Sequence, residues 1–184
     1  MRQLQIGAAT AALLVFSAPP AAAQGFWASL GVGTGRQLVT CEICRGDGNG
    51  GWAVRAAAGS TLSTRLRLGG ELHGWTDRTD GIRFRFYSVT PTLYWSPSAR
   101  TPYFLMAGIG YANYNASAEN ETISASSIGL TMGAGYELAL AGRYAFTPFA
   151  GYTGTFLANL KRDRTIITGA QVSLFQVGVG ITRR

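Results

Sequence analysis

From Phe26 onward the chain alternates large apolar residues with small or polar ones, in about eight successive stretches. A β-strand sends successive side chains to opposite faces. A segment such as Ile128, Leu130, Met132, Ala134 and Tyr136, set against Gly129, Thr131, Gly133, Gly135 and Glu137, therefore acquires one greasy and one polar wall. Repeated eight times in an exported chain, this pattern predicts an all-β fold, a closed eight-stranded antiparallel up-and-down transmembrane barrel with its greasy wall toward lipid.

Export is read from the first residues. Met1-Arg2 is a short positive start, Ile6 to Phe16 is almost unbrokenly apolar, and Ala21-Ala22-Ala23 supplies the small residues of a cleavage site. The apolar run falls short of the roughly 20 residues of a spanning helix. Residues 1–23 are thus expected to be a signal peptide cleaved after Ala23, and residues 24–184 a single barrel domain.

The strands are expected at Gly25 to Arg36, Trp52 to Ala58, Arg65 to Trp75, Arg83 to Trp95, Tyr103 to Tyr111, Ser127 to Leu138, Tyr144 to Phe156 and Val172 to Thr182. Polar or Gly-rich stretches at Gln37 to Gly51, Asp77 to Gly81, Ala116 to Ser124 and Ala158 to Ala170 read as outer loops. Shorter connections at Ser60 to Ser63, Ser96 to Pro102 and Ala139 to Gly142 read as periplasmic turns. Strand four is irregular: Phe84 and Phe86 are out of phase with Val89, Leu93 and Trp95. Either a bulge intervenes there or the outer end of the strand stands above the bilayer.

The same phase sends Arg55, Arg65, Arg67, Glu71, His73 and Glu137 into the lumen. Buried charge is costly unless paired, so bridges from Arg67 or Arg55 to Glu71 are expected. The bland outcome is a plug of ion pairs; the functional one is a gated narrow pore for small solutes. His73 and Glu71 share a strand face, and Ser88 or Ser127 could serve as a nucleophile, but no spacing ties them together. No catalytic residue, cofactor or metal site is assigned, and the chain is not read as an enzyme.

Cys41 and Cys44 are the only cysteines, and in an exported chain they are expected to form a small structural disulfide. The formal charge of +7 becomes +6 once Arg2 leaves with the signal, and 14 of the remaining 15 bases are Arg. These are scattered over loops and one strand face without forming a run, which argues against nucleic acid. Guanidinium groups on such a surface suit the phosphates of outer-membrane lipid and lipopolysaccharide. A soluble secreted ligand-binding barrel of lipocalin or avidin kind shares the period of two, with Leu66, Leu68 and Leu72 turned inward instead.

Over nearly all of residues 25–182 the chain resembles the small outer-membrane β-barrel family of OmpA/OmpX type. The resemblance implies a bacterial outer-membrane location, a monomer, a non-enzymatic envelope-structural or surface-recognition role through the outer loops, and assembly by the barrel-assembly machinery. That machinery reads a last strand of alternating apolar residues, matched here by Phe175-Gln176-Val177-Gly178-Val179-Gly180-Ile181-Thr182, with Arg183-Arg184 standing where the family closes on an aromatic.

Overall fold

The computed structural model describes residues 25–40, 48–118, 122–156, 158–162 and 165–184. The expected signal peptide, Cys41 and Cys44 lie outside the described residues. The described chain contains β1 (Phe26–Thr40), β2 (Asn49–Thr61), β3 (Leu66–Thr79), β4 (Ile82–Trp95), β5 (Tyr103–Ser117), β6 (Thr122–Tyr136), β7 (Leu138–Ala139), β8 (Tyr144–Thr155), β9 (Ala158–Arg162) and β10 (Thr165–Arg183). β8 and β9 are two pieces of one barrel strand, both lying between β6 and β10, and β7 is a two-residue addition beside β8. Every ladder is antiparallel, and β10 returns to pair with β1 from Ala28 opposite Arg183 to Thr40 opposite Gln171. An eight-stranded barrel is thereby closed without a free edge. Among the described residues no helix is long and apolar enough to cross a membrane.

The apolar wall lies outside. Leu68, Ile109 and Val179 are exposed, whereas Glu71 and His73 are buried in the lumen. This arrangement does not favour the soluble lipocalin-like alternative, which needs the leucines inside and the ionisable residues in water. Aromatic residues ring both ends of the band, with Trp95, Tyr103, Tyr136 and Tyr144 at one end and Trp52, Tyr87 and Tyr111 at the other.

The strands are longer than a bilayer requires. About 9 to 11 tilted residues cross the hydrocarbon, whereas β1, β5 and β6 each run for 15 residues. The surplus projects at the end carrying Asp80–Gly81, called the outer end below. Much of what reads in sequence as outer loop is therefore paired strand. Gln37–Thr40 extends β1, Asn49–Gly51 begins β2, and the β3–β4 connection shrinks to Asp80–Gly81. Both residues of that turn have positive φ, 52° at Asp80 and 80° at Gly81. This is the two-residue hairpin geometry for which Asp-Gly is suited.

In this overhang the polarity of the two faces is reversed. Outside stand Thr34, Arg36, Thr76, Arg78, Arg83 and Arg85; inside, Trp75, Phe86, Ala112, Tyr114, Val172 and Leu174 form an apolar cluster. Phe84 packs against the same cluster. The β3–β4 ladder runs in constant register from Leu66 opposite Trp95 to Thr79 opposite Ile82, so β4 carries no bulge. Its phase never changes; what changes is the medium outside, from lipid to water, and the apolar residues move to the lumen side accordingly.

Phe86→Ala should therefore lower unfolding stability by about 3–5 kcal/mol, the range for emptying a buried aromatic site. Arg85→Ala, on the water side next door, should change it by less than about 0.5 kcal/mol. Urea unfolding in phosphatidylcholine vesicles would check both, and the reverse ranking would place the phenylalanine face outside.

Candidate functional site

A barrel of eight strands has room for side chains and little else. The lumen is filled by pairing large inward residues with inward glycines. A Cβ on Gly31 would stand 2.7 Å from the Phe149 ring, and one on Gly178 would stand 2.8 Å from it. Gly33 lies opposite Gly178 and Gly31 opposite Gly180, so the β1–β10 seam presents a bare backbone floor on which Phe149 rests. Gly135 makes room in the same way for Phe104, and Gly69 for Trp27.

Against these rings sits the central charge cluster. Arg55 of β2 forms an ion pair with Glu71 of β3 through Nε, and its Nη2 donates to the Tyr94 hydroxyl at 3.0 Å. The Arg55 guanidinium lies over the Phe149 ring, 5.0 Å from the centroid. Glu71 is fully buried, and its Oε1 also lies 3.2 Å from His73 Nε2. Gln176 of β10 bonds His73 Nδ1 and so ties the network to the closing strand. The expected Arg55–Glu71 bridge is present.

A second cluster lies nearer the Ser96–Pro102 end. Arg67 donates through Nη1 to Glu137 Oε1 at 2.7 Å, and Arg184 also contacts Glu137. The Arg67 guanidinium is caged by rings, 5.2 Å from Trp27, 5.5 Å from Tyr94 and 5.2 Å from Phe104. The expected Arg67–Glu71 bridge is replaced by this one. Four residues along one strand separate two positions by about 13 Å, while Glu137 reaches in from the end of β6. Arg65 also departs from expectation: it is exposed in the turn after β2 and not in the lumen. Its amide bonds Ser63 Oγ at 3.3 Å, which fixes it in the turn.

Hydroxyl groups occupy the remaining wall. Thr131 bonds Thr153 at 3.1 Å and Thr90 at 3.4 Å; Thr147 bonds Thr182 at 2.8 Å, which donates to Ser29 at 3.0 Å. Short polar side chains thus bridge β6 to β8, β8 to β10 and β10 to β1, and link β4 to β6 past β5, where no ion is available. Tyr94, Phe149, Trp27, Phe104 and Gln176 escaped the sequence reading as partners of the charges. Their signal was their phase, since each alternates with lipid-facing neighbours such as Leu93 and Trp95 or Phe175 and Val177.

Ser88 lies directly opposite His73 across the β3–β4 ladder, so a serine, a histidine and a glutamate are gathered in one place. All three are buried, at 1 %, 2 % and 0 % exposure, beneath the apolar cluster of the outer end. Ser127 is elsewhere, with its hydroxyl bonded to the Phe156 carbonyl. Among the described residues no group of three or more His, Cys, Asp or Glu is placed to hold a metal ion.

A family profile described as outer membrane protein beta-barrel domain matches residues 8–182. No curated protein matches the chain by sequence. Among solved structures, Neisserial surface protein A is similar at a TM-score of 0.59 and 14% identity, over 88% of this chain and 97% of that one. Ail, the attachment invasion locus protein of Yersinia pestis, solved with the heparin analogue sucrose octasulfate, is similar at a TM-score of 0.55 and 16% identity, over 85% and 98%. The outer membrane protein AlkL, solved in lipid bilayers, follows at 0.50 and 11%, over 88% and 90%. At these identities the likeness is one of fold.

Glu71→Ala would leave Arg55 buried beside Tyr94 and Phe149 without its carboxylate. The expected cost is about 3–5 kcal/mol in urea unfolding, the range for breaking one side of a buried pair. The double variant Arg55→Met/Glu71→Leu should recover most of it, because no charge is then stranded. Additive losses in the double variant would show that the pair is not coupled.

Proposed function

The chain belongs to the outer membrane protein β-barrel family, and we propose that it is a non-enzymatic, monomeric barrel of the bacterial outer membrane that acts through its outer surface, in envelope integrity or surface recognition. The observation that carries this reading is the filled lumen. From the outer end downward come the Trp75–Phe86–Leu174 cluster, the Arg55–Glu71–His73 network, the threonine bridges and the caged Arg67–Glu137 pair. Solute passage would require breaking at least one buried ion pair and displacing a packed aromatic cluster, each at a cost of several kcal/mol.

What remains for interaction is the wall. The projecting ends of β1 to β6 display polar and basic side chains above an aromatic girdle, on a paired and therefore stiff support. A single barrel suffices, because the ladders close within one chain. Two of the similar folds, Neisserial surface protein A and Ail, are described as a surface protein and an attachment protein, which agrees with a role at the cell surface.

Purified barrel inserted into planar bilayers should show no discrete conductance steps at any voltage short of membrane breakdown. Arg55→Ala and Glu71→Ala, which thin the central plug, should remain silent because the aromatic cluster is independent of it. Reproducible unitary conductance in the unmodified protein would replace this reading with the pore.

A further inference from the structure

The outer wall of β3 and β4 carries an arrangement that sheet energetics disfavours. Arg78 of β3 and Arg83 of β4 are direct partners across the ladder, and Arg85 follows two residues later on the same face, opposite Thr76. Like charges directly opposite one another destabilise a strand pair. Among the described residues none of the three forms an ion pair. On the far side of β4, Arg83 and Arg85 meet Ser117 and Asn115 of β5, which add no negative charge. Among the described residues, then, three guanidinium groups are held together with no carboxylate beside them in the wall.

They stand at the head of a groove. A concavity of about 270 Å³ lies among Arg78, Arg83, Arg85 and Ser117. A second, of about 500 Å³, shares Arg83 and Arg85 and descends past Thr76, Trp52 and Tyr87 to Val54 and Gly74. A third, of about 810 Å³, shares Val54, Gly74 and Tyr87 and spreads over the lipid face past Leu72, Val89 and Ala56 to Leu30 of β1 and Val179 of β10. The floor is low because Gly74 has no side chain; a Cβ there would meet Val54 at 2.9 Å. Trp52, 76 % exposed, forms one bank and Tyr87 the other at the level of the girdle.

We propose that this groove binds a phosphorylated glycolipid of the outer leaflet, a lipopolysaccharide-type amphiphile, with its phosphates on Arg78, Arg83 and Arg85 and an acyl chain along Gly74, Leu72 and Val89. The inference rests on the outward orientation of the long-strand end adopted above. Guanidinium groups bind phosphate through paired hydrogen bonds, and an anion between Arg78 and Arg83 removes the repulsion built into the ladder. Arg83 and Arg85 are about 7 Å apart along the strand, a spacing that favours a head group with more than one phosphate. The apolar depression below the arginines, which spreads over the lipid face of β1 to β4 and β10, distinguishes a lipid from a free anion.

The test uses the folded full-length barrel in phosphatidylcholine vesicles titrated with bisphosphorylated lipid A, following the thermal midpoint of the folded form. The unmodified barrel should show a saturable rise. Arg83→Gln/Arg85→Gln should need about tenfold more lipid A or more, the scale of losing one charge-assisted hydrogen bond. Gly74→Leu keeps all three arginines but fills the channel, and should need about threefold more or greater. Arg100→Gln/Arg143→Gln, matched in charge but in turns at the other end, should behave as the unmodified protein. Equal half-saturation in the Arg83/Arg85 and Arg100/Arg143 variants, an unchanged response in Gly74→Leu, or an equal rise with inorganic phosphate or phosphatidylglycerol would each overturn the site. None of these outcomes bears on conductance, so the closed-barrel reading stands or falls separately.

Discussion

A strand in hydrocarbon cannot leave its amide and carbonyl groups unpaired, since no water is there to bond them. That requirement makes the β1–β10 ladder the contact on which the rest of the molecule depends. The seam is built to close tightly, with Gly31 and Gly33 facing Gly180 and Gly178 across it. Side chains at these inward positions would strike Phe149 or the opposing backbone. Closure and lumen packing are therefore one problem: the glycines that let the seam close also form the floor for the ring that carries Arg55.

A narrow closed wall dictates how charge is carried inside. With few waters admitted, each inward ion must be answered by protein, and the protein answers with both partners at once. Glu71 meets Arg55 and His73, while Glu137 meets Arg67 and Arg184. The faces of the two guanidinium groups are covered by aromatic rings, whose negative π-surface replaces solvation that the lumen does not supply. The result holds strands together across the lumen as well as along the ladders, because Arg67 of β3 and Glu137 at the end of β6 belong to strands that share no ladder.

Much of this was legible because a period of two survives every irregularity that shifts a boundary by an even number of residues. The turn after β2 is expected at Ser60 to Ser63 and is found two residues later, yet Glu71 and His73 still face inward. Arg65 shows the limit: its parity is right, but the chain has not yet re-entered the sheet. Pairing was less legible than facing. Arg67 shares its strand with Glu71 but finds Glu137, because sequence separation says nothing about distance across a lumen. The outer loops depart from expectation for a different reason. Gly-rich and polar stretches are loop-like when both faces meet water, whereas here Phe84, Trp75 and Val172 line the inside and keep the backbone paired.

The reversal of polarity along β4 shows how one strand can satisfy two solvents without changing phase. From the girdle downward its outward residues are Tyr87, Val89 and Leu93, and its inward ones include Ser88, Thr90 and Thr92; above it, Arg83 and Arg85 face out while Phe84 and Phe86 face in. In the hydrocarbon the hydrophobic gain is external and the lumen can be polar. In water the same wall must gain its stability from within, so the apolar cluster that closes the barrel's mouth also keeps the overhang from fraying into loops. The apolar filling of the mouth is then a consequence of carrying a rigid sheet beyond the bilayer, and the surface that this rigidity holds in place is the outer face of the same strands, where Arg78 and Arg83 are kept side by side.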